Sequence, residues 1–140
     1  MKKIVMLIEE LGSQMRIHLA LCDLYNILFA ENIEATMYFL RRAKPDLVLV
    51  DFDLKPFRED HQRAIDLIGK IKGKYEDLKV VTILNQAERF AESDVQICGA
   101  DAVLQRPIET ENLIVKLSEL TKPGANEVLT RESNLELTVA

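Results

Sequence analysis

The fold of this chain is decided by a short apolar run that ends in a carboxylate, Lys44-Pro45-Asp46-Leu47-Val48-Leu49-Val50-Asp51. The four residues before Asp51 are all apolar, without the alternation of a strand that has one face in solvent. Continuous apolar strands are typical of a parallel sheet that is covered on both faces. The run therefore predicts a buried strand with Asp51 at its carboxyl end.

Four further segments predict strands of the same sheet. Two are strongly apolar, Ile4 to Ile8 and Val80 to Leu84, and two are weaker, Asn26 to Ala30 and Ala102 to Gln105. Helical patterns lie between them, so strand and helix alternate five times. This order predicts an α/β fold, a doubly wound five-stranded parallel sheet with helices on both faces and right-handed crossovers.

Capping residues and spaced apolar side chains mark the predicted helices. We expect the first over Ser13 to Cys22, with Ser13 as its N-cap and with Met15, Leu19 and Cys22 on its apolar face. Asn32 is the predicted N-cap of the second helix. The remaining helices are predicted around residues 64–71, 86–97 and 113–120.

Length and composition predict one domain. The 140 residues are 48% apolar and carry a net charge of −5, which suits a single packed core and does not favour binding to a nucleic-acid backbone. We expect residues 1–121 to form the domain and residues 122–140 to be a C-terminal tail or linker stub, since the composition becomes mostly polar there.

The cellular compartment is predicted from the cysteines and from the hydropathy. Cys22 and Cys98 are far apart and form no CxxC motif, which favours a reducing environment. No segment approaches the ~18 consecutive apolar residues of a membrane-spanning helix. We therefore expect a cytoplasmic protein that does not bind a membrane.

Polar side chains follow four of the predicted strands where each strand ends. They are Glu9 and Glu10 after the first strand, Asp51 and Asp53 after the third, Asn85 after the fourth and Arg106 after the fifth. Function in such sheets collects at the carboxyl ends of the strands, where several close carboxylates repel one another unless a cation is present. An all-oxygen cluster suits Mg²⁺, and an arginine opposite suits phosphate oxygens. In the alternative interpretation, the acidic residues cap the following helices and Arg106 is a solvated surface residue.

Three motifs, taken in order, resemble the receiver domain of two-component response regulators over about Lys3 to Leu120. The run that ends in Asp51 resembles the third strand of the family with its phospho-accepting aspartate. Ala30-Glu31-Asn32 lies where the family opens its second helix, and Gly99-Ala100-Asp101-Ala102-Val103-Leu104-Gln105-Arg106-Pro107 resembles the fifth-strand motif, which in the family ends Lys-Pro. The resemblance implies the (βα)5 flavodoxin-like receiver fold.

By that resemblance, Asp51 accepts a phosphoryl group from a sensor histidine kinase or phosphotransfer protein in a phosphorelay. The domain then signals to a downstream protein partner, and it is not an enzyme beyond self-catalysed phosphotransfer and dephosphorylation. The chain would carry no DNA-binding domain, and homodimer formation is expected through the face from Gln86 to Leu120.

The resemblance also implies a role for each candidate site residue. Arg106 takes the place of the family lysine, and Asn85 is a candidate phosphoryl contact. Mg²⁺ would be held by Glu9, Glu10, Asp51 and the backbone carbonyl of Asp53, with binding weakened because glutamates replace the usual aspartates.

Other positions depart from the family pattern. A shift of one residue in the alignment would put Ile8 in the place of the first acidic residue. Leu84 stands where the family has Thr or Ser, and Val103 stands at the position of the switch aromatic, so the conventional two-position switch cannot operate. The segment from Phe52 to Gln62 lacks the family's glycine-rich pattern and is expected to be a solvated, charged loop.

Three hypotheses stay open. The first is a receiver that is phosphorylated on Asp51. The second is a pseudo-receiver that acts as an interaction module without phosphorylation. The third is a small hydrolase, which has the carboxylate cluster as its main support and would depend on Glu9 or Glu10.

Overall fold

The computed structural model describes residues 1–85 and 99–121, and within them strands and helices alternate. The strands are β1 (Lys3–Leu7), β2 (Asn26–Ala30), β3 (Leu47–Asp51), β4 (Lys79–Leu84) and β5 (Ala102–Gln105). The helices are α1 (Leu11–Leu21), α2 (Ile33–Arg42), α3 (Lys55–Glu59), α4 (His61–Lys74) and α5 (Thr110–Leu120). The helix predicted at 86–97 and the tail predicted at 122–140 lie outside the described residues.

The five strands form one parallel sheet in the order β2-β1-β3-β4-β5. This confirms the predicted fold class. β3 lies in the centre, where Val48 pairs with Val5 of β1 and with Val80 of β4. Asp51, the last residue of β3, therefore lies in the middle of the carboxyl edge of the sheet.

The apolar strands are continuous because each of them serves two cores. In β3, Val48 and Val50 pack in the layer that contains α2 and α4, whereas Leu47 and Leu49 pack in the layer that contains α1 and α5. Side chains of a strand alternate between faces, and here both faces are covered by helices. The sheet therefore leaves its carboxyl edge as the place where polar groups can collect.

Two aspartates anchor the opposite, amino edge of the sheet. Asp46 Oδ2 accepts a hydrogen bond of 2.9 Å from the backbone N–H of Lys3. Asp101 Oδ2 accepts from the backbone N–H of Val80 at 2.8 Å and from Lys72 Nζ at 3.1 Å. Because these bonds join the loops before β3 and β5 to β1 and β4, they help to set how far each strand reaches toward the carboxyl edge.

The first helix begins earlier than predicted. Asn32 caps α2 as expected, since its Oδ1 accepts from the Ala35 N–H at 2.7 Å. Ser13, however, lies inside α1 with its side chain buried, and Glu10 occupies the N-cap position without a side-chain capping bond. The prediction of Ser13 as N-cap was wrong because its small side chain is buried on the inner face of α1 instead.

The predicted apolar face of α1 was also wrong. The helix buries Ser13, Ile17 and Leu21, whereas Met15 and Leu19 are exposed. Both faces of α1 carry apolar residues, so periodicity alone could not decide which face the sheet covers.

The segment that follows β3 is packed, although its charge predicted a solvated loop. It contains the short helix α3, and Phe52, Leu54 and Phe57 are all buried, with the Phe52 and Phe57 ring centroids 6.2 Å apart. The charged residues beside them, such as Lys55, Arg58 and Glu59, are exposed. The burial of three spaced apolar side chains therefore determines the structure of the segment, although most of its other residues are charged or polar.

Substitution of Phe57 by alanine tests this packing. Phe57 is 0% exposed, so we expect Phe57→Ala to lower the free energy of unfolding by about 3–5 kcal/mol, measured by urea denaturation. Glu59→Ala, on the exposed side of the same helix, is the matched control and should change it by less than about 0.5 kcal/mol. Equal effects of the two substitutions would contradict the packed arrangement.

Candidate functional site

The carboxyl edge of the sheet holds a buried ion pair between the ends of β3 and β5. Arg106 Nη1 donates to Asp51 Oδ1 at 2.8 Å, and Arg106 Nη2 donates to Asp51 Oδ2 at 2.6 Å. The side chains are 2% exposed for Asp51 and 18% exposed for Arg106. This is the bidentate geometry in which arginine binds a carboxylate most strongly, and both oxygens of Asp51 take part in it.

Asn85 and Asp53 extend this pair into a closed network. Arg106 Nη1 also donates to Asn85 Oδ1 at 3.1 Å, and Asn85 Nδ2 donates to Asp53 Oδ1 at 3.0 Å. The backbone N–H of Asp53 donates a hydrogen bond to Asp51 Oδ1 at 3.0 Å, which closes the network. We call these four residues, Asp51, Asp53, Asn85 and Arg106, the Asp51 network. It ties together the carboxyl ends of β3, β4 and β5.

The charges around Arg106 keep its guanidinium ionised. Hydrogen bonding to Asp51 is the largest cause that raises the pKa of Arg106 above its usual value, partial burial opposes it, and the charges of Asp51, Asp53 and Glu10 add to the rise. An arginine is charged at any physiological pH, so the network always contains one fixed positive charge beside these carboxylates.

The two glutamates after β1 lie at the rim of the site, outside the Asp51 network. Ile8, which is buried, separates them from the end of β1. Glu9 Oε2 accepts from the backbone N–H of Lys55 at 3.1 Å, and so binds the first turn of α3. Glu10 is exposed and acts on Arg106 through its charge. Glu9 thus caps a helix, as the alternative interpretation allowed, but it is α3 rather than the next helix along the chain.

Part of the predicted Mg²⁺ ligand set is engaged elsewhere. Both oxygens of Asp51 accept from Arg106, and one oxygen of Glu9 accepts from the backbone N–H of Lys55. The side chain of Asp53, whose backbone carbonyl was the predicted ligand, accepts from Asn85. Within residues 1–85 and 99–121, no three His, Cys, Asp or Glu side chains are grouped so that they could hold a metal ion. A guanidinium next to Asp51 also repels a cation. The arrangement does not fit Mg²⁺, and the magnesium site stays a prediction that requires Arg106 to release Asp51.

The positions of the family switch residues are apolar and buried. Leu84 and Val103 pack in the core layer that contains α2 and α4. Asn85, one residue beyond Leu84, is the residue at the end of β4 whose side chain contacts Arg106. The sequence named Asn85 as a candidate contact, but its bridging of Arg106 and Asp53 depends on tertiary geometry and carries no sequence signal.

Solved structures with the same fold are response regulator receiver domains. The N-terminal signal receiver domain of a two-component system response regulator from Bacteroides fragilis has a TM-score of 0.77 and 20% identity, over 87% of this chain and 98% of its own. A response regulator from Thermotoga maritima has a TM-score of 0.69 and 24% identity, over 85% of this chain and 96% of its own.

NtrX from Brucella abortus, solved in complex with ADP, is a longer protein that contains a region similar in fold to this chain. It has a TM-score of 0.74 and 18% identity, over 95% of this chain, which spans 28% of the NtrX chain. No protein-family model matches the sequence, and no curated protein matches it.

The fold is therefore that of response regulator receiver domains, with a flavodoxin-like, all-parallel five-stranded sheet. Its site differs in chemistry from a plain carboxylate cluster because an arginine occupies both oxygens of the central aspartate. None of the helices in the described ranges is both long enough and apolar enough to span a membrane.

A double-mutant cycle measures the strength of the ion pair. We expect Arg106→Met to lower the free energy of unfolding by about 3 kcal/mol, because it leaves the buried Asp51 carboxylate without a counter-charge. Combining it with Asp51→Asn should recover much of that loss, because no buried charge is then unpaired. Additive losses in urea denaturation would show that the two side chains do not interact.

Proposed function

We propose that this chain is a receiver-fold signalling module that acts through protein–protein contacts and does so without phosphorylation of Asp51. The observation that carries the proposal is the bidentate Asp51–Arg106 pair, in which both oxygens of the buried carboxylate accept hydrogen bonds from the guanidinium. The proposed role requires no turnover of a substrate.

The pair disfavours phosphoryl transfer for a chemical reason. A carboxylate oxygen must be free to attack phosphorus, and the charge on the transferred group must be neutralised as the bond forms. Here both oxygens of Asp51 accept hydrogen bonds from Arg106, and Glu9, one of the residues expected to hold Mg²⁺, binds the backbone N–H of Lys55. A phosphoryl group could reach Asp51 only after Arg106 had moved away from at least one oxygen.

The same network supports a single stable state of the domain. Arg106 holds the ends of β3, β4 and β5 together through Asp51, Asn85 and Asp53. Leu84 and Val103 provide no hydroxyl and no aromatic ring with which the site could report a change. A partner protein would therefore recognise one fixed surface, and its binding would be regulated by the abundance or state of the partner.

The second candidate function is the phosphorylated receiver. It is supported by the position of Asp51, which ends the central strand beside two hydrogen-bond donors, Arg106 and Asn85, that suit phosphoryl oxygens. In this case the N–P bond of a donor histidine would break as an O–P bond forms at Asp51. A histidine kinase or phosphotransfer protein would be the donor, Mg²⁺ would assist, and the signal would pass to a downstream protein.

Treatment with acetyl phosphate and Mg²⁺ distinguishes the two functions. We expect the intact mass of the wild-type protein to stay unchanged, because Asp51 offers no free oxygen. Asp51→Asn serves as the control for modification at other residues. A gain of one phosphoryl group that disappears in Asp51→Asn would overturn the proposal and establish the second candidate function.

Replacing the arginine tests whether it is what excludes the metal. A lysine keeps the charge but donates from a single nitrogen, so it can leave one Asp51 oxygen free. We expect saturating Mg²⁺ to raise the Tm of the Arg106→Lys variant by about 2–4 °C and to leave the Tm of the wild type unchanged. Arg63→Lys, an exchange at an exposed site, is the matched control. The same Mg²⁺ effect in the wild type would contradict this explanation.

A further inference from the structure

The side-chain amide of Asn85 lies between two charges of opposite sign. Its Oδ1 accepts from Arg106 Nη1 at 3.1 Å, and its Nδ2 donates to Asp53 Oδ1 at 3.0 Å. A guanidinium can only donate hydrogen bonds, and a carboxylate can only accept them. Turning the amide over would set its NH2 group against the guanidinium and its oxygen against the carboxylate. The two neighbours therefore hold Asn85 in one orientation.

The carboxylate of Asp53 keeps this orientation when Arg106 moves. As long as Asn85 Nδ2 is bound to Asp53, the amide oxygen stays directed at the position of the guanidinium and favours its return. Donation to a charged acceptor also polarises the amide and makes its oxygen a stronger acceptor. Asp53 makes no hydrogen bond to Arg106 within residues 1–85 and 99–121, so it acts there through Asn85 and through its charge.

Backbone hydrogen bonds set the spacing of these side chains. The N–H of Arg106 donates to the carbonyl of Leu84 at 2.8 Å, and the N–H of Phe52 donates to the carbonyl of Ile83 at 3.0 Å. The first bond continues the pairing of β4 with β5, and the second continues that of β3 with β4. The amide and its two charged neighbours start from these strand ends, so the sheet determines the distances between them.

One cation of α3 also faces Asp53. Arg58 Nη1 lies 3.7 Å from Asp53 Oδ1, the same oxygen that accepts from Asn85. This distance is too long for a hydrogen bond, and the Arg58 side chain is 52% exposed, so water screens the attraction. Asn85 is therefore the stronger partner of this oxygen.

We propose that Asp53 is a positioning residue, which holds Arg106 on Asp51 by fixing the amide of Asn85. This role rests on the proposed function, in which the Asp51–Arg106 pair keeps the site closed. The long side chain of Arg106 gains rotational freedom when it leaves the site, so each hydrogen bond that it makes there counts against its release. Closure of the site thus depends on a carboxylate that makes no bond to the guanidinium.

Rotation of the Arg106 guanidinium measures how firmly the side chain is held. Rotation about its Cζ–Nε bond breaks the hydrogen bonds of both Nη groups, so the rate of exchange between their NMR signals reports on this contact. Asn85→Ala removes one acceptor and should raise the rate at least about tenfold. Asp53→Asn keeps the shape of the side chain without its charge and should raise the rate about threefold or more. Arg106→Lys, which lacks the signals, assigns them.

Glu10→Gln is the matched control for charge. Glu10 also acts on Arg106 through its charge, but it lies outside the Asp51 network. Its substitution should change the exchange rate by less than about twofold, because the side chain is exposed. An effect as large as that of Asp53→Asn would show that charge alone holds Arg106, and it would overturn the proposal.

A double-mutant cycle tests whether Asp53 acts through Asn85. Once Asn85→Ala has removed the amide, adding Asp53→Asn should raise the exchange rate no more than Glu10→Gln does. Independent effects that multiply would show that Asp53 acts on Arg106 by another route, and they would overturn the proposal. Far-UV circular dichroism confirms that the variants are folded.

Failure of this role can be told apart from failure of the proposed function. The proposed function fails if acetyl phosphate adds a phosphoryl group to wild-type Asp51. The positioning role fails if the Arg106 signals do not respond to Asp53→Asn, even when the mass of the wild type stays unchanged.

Discussion

A buried carboxylate at the end of a central strand must be neutralised, and the rest of this site follows from how that is done. Asp51 closes β3 in the middle of a parallel sheet, where almost no water reaches it. An unpaired charge in such a place is costly, so a cation of some kind has to lie next to it. In this chain the cation is the guanidinium of Arg106, which directly follows the end of β5.

The choice of a guanidinium has structural consequences beyond charge. A metal ion would draw its ligands from the β1 and β3 ends of the sheet, whereas Arg106 reaches Asp51 from β5 and, through Asn85, also engages β4 and Asp53. Glu9 is left to bind the first turn of α3. The site thus becomes a set of hydrogen bonds that stiffens one edge of the sheet. This is the physical basis of the proposal that the domain is an interaction module with a single state.

The accuracy of the sequence predictions differed between strands, helices and the site. All five strands were predicted, because an unbroken apolar run such as Leu47 to Val50 has few stable environments other than a sheet covered on both sides. The cap at Asn32 was predicted from a local hydrogen bond, which needs only the three following residues. Ser13 satisfied the same local rule and failed, because burial against the core outweighed capping. The buried Phe57 was missed because the charged residues around it dominate the composition of its segment.

The sequence by itself determined the alternation of strands and helices, the parallel sheet, and the presence of Asp51, Asn85 and Arg106 at strand ends, because these depend on local pattern and on the rule that parallel strands end at the same edge. Only the tertiary structure decided that Arg106 donates to both oxygens of Asp51 and that Glu9 accepts from the first turn of α3. It also decided that Met15 and Leu19 face solvent. Those outcomes depend on distances between residues that are far apart in the chain and on competition among several partners for one carboxylate or one core face, and no local pattern encodes either.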